Sequence, residues 1–112
     1  MTKREINDMI LDTVCSVCEV SVEDIMTGVK KAEVVEARCI AAHYLIRYGV
    51  LPGDVVRFSD HVVKHRHCVT KSANMYEERT KQSFSFCSDA EYIGNILEKK
   101  FREKKIQPLY TS

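Results

Sequence analysis

Glycine is scarce in this chain, with four in 112 residues, and neither G-x-x-x-x-G-K-[ST] nor G-x-G-x-x-G occurs. A phosphate cradle built from successive backbone amides therefore has no sequence to form it, which excludes the common nucleotide-binding loops. An excess of charge is missing too: seventeen Lys and Arg face sixteen Asp and Glu, a formal +1. Bulk charge thus singles out no nucleic acid, membrane or acidic substrate, and local distribution has to decide. No run approaches the length of a membrane span, and the opening MTKREIND is too polar for the apolar core of a signal peptide. No membrane partner is expected, and the chain reads as cytoplasmic. The five cysteines, Cys15, Cys18, Cys39, Cys68 and Cys87, are an odd and scattered set. They match no disulfide framework, and reduced thiols are the expectation.

The composition that is present, 45% apolar and 29% charged, belongs to a packed globule. One domain over residues 1–112 is expected, since a chain of this size holds one core and no large barrel or complete ATPase module. Periodicity predicts helices throughout and no strand. Over residues 5–19, Ile6, Met9, Ile10, Thr13, Val14 and Val17 draw one stripe. Ser21 with Asp24 resembles a capping box opening a brief helix docked by Val22, Ile25 and Met26, which stops near Thr27-Gly28. Residues 31–48 carry apolar positions on more than one face and predict the central helix, ended by Gly49. A new element starts near Pro52, with Val56, Phe58, Val62 and Val63 apolar. After a polar interval Val69, Ala73, Met75 and Tyr76 resume the pattern, so two helices joined by a short polar turn are expected. Residues 80–88 read as a loop whose Phe84 and Phe86 pin it to the core. Ser88 with Glu91 then opens a last helix, about 88–105, with Tyr92, Ile93, Ile96, Leu97 and Phe101 as its stripe.

Catalytic constellations are thin. Cys68 can be paired with any of four histidines, and Glu36 and Asp24 are carboxylates that nothing aims at a partner, so no enzyme activity is expected. Cys15 and Cys18 form a C-x-x-C pair, and His65, His67 and Cys68 a second cluster. Structural zinc sites usually show a second closely spaced pair, and Cys15 and Cys18 read equally well as small apolar residues within a helix. No metal or other cofactor is therefore expected, and no residue set converges on a small-molecule pocket.

The charge balance breaks over RFSDHVVKHRHCVTK, residues 57–71. Arg57, Lys64, Arg66 and Lys71 face the single acid Asp60, and His61, His65 and His67 add charge below a pKa of roughly 6.5. The patch falls on the turn and first turns of the second helix of the pair, where a helix-turn-helix presents its recognition residues to the major groove.

The order of motifs resembles the C-terminal DNA-binding domain of the bacterial replication initiator DnaA, a helical domain related in fold to the Trp repressor, over about residues 8–80. ILDTVCSVCEVSVEDIMT is similar to that family's opening helix and V-s-V-e-D-l segment, with Val20-Ser21-Val22-Glu23-Asp24-Ile25 in register. Lys30-Lys31 take the place of its basic loop. Val34-Val35-Glu36-Ala37-Arg38-Cys39-Ile40-Ala41 resembles I-V-x-A-R-Q-I-A, with Tyr44-Leu45 as its Y-L. The family's R-D-H-[ST]-T-V signature falls on Lys64-His65-Arg66-His67-Cys68-Val69, where only the closing Val and a basic first residue match. Sliding by one residue pairs His67 with the family's His but leaves Thr70 at the Val position. The acid is lost, so the family's sequence preference is not carried over.

The resemblance implies an all-α bundle of five to six helices containing a helix-turn-helix, and double-stranded DNA as partner. Lys64 and Arg66 would donate to guanine edges or phosphates, His67 and Thr70 would hydrogen-bond either, His65 would lie at the same turn, and Lys71, Arg38, Lys30 and Lys31 would hold the flanking backbone. Without an ATPase the chain would occupy, mark or compete for a site rather than open an origin, in replication or transcription regulation. The competing expectation is a degenerate helix-turn-helix acting as a protein-interaction module, with a homodimer or other partner on the C-terminal helix.

Overall fold

The computed structural model describes residues 2–58 and 66–106, with Arg66, His67 and Cys68 described in backbone only. Seven helices lie among the described residues: α1 (Lys3–Cys18), α2 (Val22–Met26), α3 (Ala32–Arg47), α4 (Pro52–Phe58), α5 (Arg66–Asn74), α6 (Tyr76–Gln82) and α7 (Phe84–Glu103). No strand occurs among them, so the all-α expectation holds. None of the described helices is long and apolar enough to cross a membrane.

Local chemistry sets the helix ends. The Thr2 hydroxyl accepts from the Glu5 amide while the Glu5 carboxylate accepts from the Thr2 amide, a reciprocal cap for α1. Ser21 Oγ accepts from the Asp24 amide at 3.0 Å and starts α2. After α3, Gly49 turns the chain with φ +85°, a conformation that costs other residues a Cβ clash.

The third helix sits at the centre and touches α1, α2, α5, α6 and α7. Its buried residues Val34, Ala37, Ile40, Ala41, Tyr44 and Leu45 explain why its apolar pattern covers more than one face. Against α7 the contact is close: the Tyr44 hydroxyl donates to the Ala90 carbonyl at 2.9 Å. A Cβ added at Gly94 would overlap that same hydroxyl, so glycine here allows the two helices to approach.

Two features differ from the sequence expectation. The segment read as a loop is helical, because Ser83 Oγ accepts from the Phe86 amide and α7 begins at Phe84 rather than Ser88. Its buried stripe is Phe86, Ala90, Ile93, Leu97 and Phe101, leaving Phe84 89% and Tyr92 59% exposed. The helices among the described residues also number seven against the about five to six expected, since α6 stands apart from α5 at Met75.

At the α3–α6 contact the His43 and Tyr76 rings stack, 3.6 Å apart and within 5° of parallel, with Tyr44 edge-on to both. Burial, aided by the Arg47 guanidinium, lowers the His43 pKa from 6.5 to about 4. An unfolded chain then binds a proton that the folded chain refuses between those values, so this contribution is complete above pH 6.5 and is lost as pH falls towards 4. Allowing for partial exposure, the loss is about 1–2 kcal/mol. Urea unfolding of the native chain and of His43→Phe, which keeps a ring on Tyr76, should show a native stability that drops between pH 7 and 5 more steeply than the variant's. Parallel curves would remove His43 from the account.

Candidate nucleic-acid interface

The residues between α2 and α3 bend back at Gly28, with φ +78°, and carry Lys30 and Lys31. Arg38 organises this loop from below. Its Nε donates to the Ile25 carbonyl at 2.8 Å, and its Nη2 to the carbonyls of Asp24 at 3.0 Å and Val29 at 2.9 Å. A helix end leaves such carbonyls without intrahelical partners and carries partial negative charge, so a guanidinium is well suited to close it. Arg38 was expected to hold the DNA backbone; the structure gives its guanidinium to the chain's own carbonyls, and its visible role is to shape the loop that bears the lysines.

The other expected contacts are distributed as follows. Lys31 is exposed at the N-cap of α3, with no side-chain cap bond. Thr70 and Lys71 are exposed on α5, which turns the half-buried Val69 and the buried Ser72 inward. Arg66 and His67 belong to the first turn of α5, while Lys64 and His65 lie outside the described residues. The helix pair expected around them is represented by α4 and α5, which pack against each other; the turn between them also lies outside the described residues.

Lys30, Arg38 and Lys71 come together around one cavity of about 480 Å³ between the 27–30 loop and α5, floored by α3. Its described lining contains no Asp or Glu. Neither the Lys30 nor the Lys71 ammonium is hydrogen-bonded or ion-paired to another described residue, whereas Lys3 and Arg57 share Asp54, and Arg102 pairs with Glu98. Where no residue set was expected to converge on a pocket, these residues line a common cavity. Two signals were present in the sequence, the small pair Ala41-Ala42 on the central helix and the paired lysines. Nothing in the spacing revealed that α5 would close over them.

Cys15 and Cys18 are not set up as reactive thiols. Burial pushes the Cys15 and Cys18 thiols up to about 11, with acidic neighbours adding to the effect, which keeps both protonated and weakly nucleophilic. Among the described residues no three His, Cys, Asp or Glu side chains are grouped to hold a metal ion; His65, His67 and the Cys68 side chain lie outside that set. No family model, curated protein or solved structure matches this chain.

Proposed function

We propose that the chain binds duplex DNA, with the 27–31 loop on the sugar-phosphate backbone and α5 directed to the major groove. The observation that carries this reading is that Lys30 and Lys71 line one cavity whose described lining holds no acid. Two cations distant in sequence thereby share one side of a molecule whose overall charge is close to neutral. Phosphates are the ligands that such unneutralised ammonium groups attract, and the start of α5, where Arg66 and His67 lie in the chain, is the terminus this reading assigns to the bases. The resemblance to the DnaA domain makes the same assignment of loop and helix, and in its light the domain occupies or competes for a site on duplex DNA.

A protein-interaction module is the second reading, and it has its own observation: Phe84 and Tyr92 are exposed on α7 at 89% and 59%. Fluorescence anisotropy with a random duplex and a DnaA-box duplex at two salt concentrations separates the two. Salt-sensitive binding that Lys64→Ala/Arg66→Ala abolishes is the expected result, with tighter binding at pH 6 than at pH 8 as the histidines of residues 61–67 protonate. His43 takes no part in that pH effect, because burial holds it neutral across the range. No binding to either duplex at low salt would leave the interaction module standing.

A further inference from the structure

A cavity of about 480 Å³ that opens to solvent is large for so small a fold. Protein interiors are packed to crystal density, and side chains lining an open space forgo dispersion contacts on that side. The volume falls within the roughly 300–1,000 Å³ typical of small-molecule sites. The walls are mostly apolar, with Leu11, Ile25, Val35, Leu45, Val55 and Met75 among them, and the polar side chains are the hydroxyls of Thr27 and Ser72 and the basic groups of Lys30, Arg38 and Lys71. Lys30 and Lys71 are both exposed, so the cationic end of the site lies at its mouth.

We propose that this cavity binds a free amphipathic carboxylate, its aliphatic body among the apolar walls and its anionic head between Lys30 and Lys71. Charge complementarity selects the class. A neutral apolar ligand would leave two ammonium groups unanswered at the mouth, and a small hydrophilic anion would leave the walls empty. The absence of acids from the described lining removes the repulsion that a carboxylate meets on most of a surface carrying sixteen Asp and Glu. Arg38 is held by the loop carbonyls and shapes the mouth without being needed as a direct ligand.

The test is calorimetric titration of the whole chain with decanoate, kept below its micelle-forming concentration, beside decanol as the uncharged body and acetate as the bare head. Saturable one-to-one decanoate binding is expected, about tenfold tighter than decanol, with no acetate binding. Lys30→Ala/Lys71→Ala should erase the difference between decanoate and decanol while leaving decanol unchanged. Ala42→Leu, which fills the cavity from α3, should weaken both; if that variant fails to fold, the lysine pair still decides. Equal affinities for decanoate and decanol in the native chain, or no saturable binding, would overturn the proposal. So would binding confined to anionic phospholipid vesicles, which would move the lysines to a membrane surface.

These titrations stand apart from the DNA reading. A competition arm does rest on it, because the same two ammonium groups are assigned there to phosphates, so saturating decanoate should weaken duplex binding. Decanoate binding in a chain that binds no DNA would uphold the cavity and count only against the DNA reading.

Discussion

Replacing Arg38 with Ala should lower stability by about 3 kcal/mol and loosen the 27–31 loop, with only a secondary effect on the salt dependence of DNA binding. The guanidinium serves three carbonyls, those of Asp24, Ile25 and Val29, and charge-assisted hydrogen bonds of this kind contribute about 1.5–3 kcal/mol each before non-additivity and partial exposure reduce the sum. Arg38→Lys is the informative companion. A phosphate contact would tolerate lysine, which keeps the charge, whereas a fork spanning several carbonyls would not, because an ammonium on a flexible stem cannot reproduce its planar geometry. Urea unfolding of both variants should therefore find the Lys form nearly as destabilised as the Ala form. A Lys variant of native stability whose DNA binding also survives would return Arg38 to the phosphate-contact role implied by the family resemblance.

The arrangement around Arg38 shows where sequence reading succeeds and where it stops. The first three helices were legible because their determinants are local: Ser21 caps α2, Gly28 and Gly49 take the left-handed turns, and the apolar spacing of α3 announces burial on several sides. The last third was misread for an equally local reason. Ser88 and Glu91 have the spacing of a capping box, but the Glu91 carboxylate accepts from the Cys87 thiol at 3.7 Å, one turn away within α7. The true cap is Ser83. Once Phe84 and Phe86 lie on a helix, two residues apart, they face different directions, so burying Phe86 leaves Phe84 in solvent. The cavity was invisible for a different reason. It joins Lys30 to Lys71 through the packing of α5 on α3, and no periodicity relates residues on separate elements.

On the DNA reading, Lys30→Ala/Lys71→Ala should weaken duplex binding on the order of fiftyfold at 0.1 M salt, and far less towards 1 M. Each phosphate contact adds about 0.9 to the slope of log K against log salt, so removing two should flatten that slope by nearly two. Both lysines are exposed and their ammonium groups are bonded to no other described residue, so the variant should fold with unchanged stability, which urea unfolding checks. Net charge alone could weaken binding too, and Lys99→Ala/Lys104→Ala isolates that effect by removing the same charge from the exposed end of α7. Anisotropy titrations across a salt series should show the first pair changing the slope and the second leaving it nearly native. Equal flattening by both pairs would mean diffuse attraction with no assigned face. An unchanged slope in the first pair would remove the 27–31 loop and α5 from the backbone contact, and with them the juxtaposition on which the DNA reading is built.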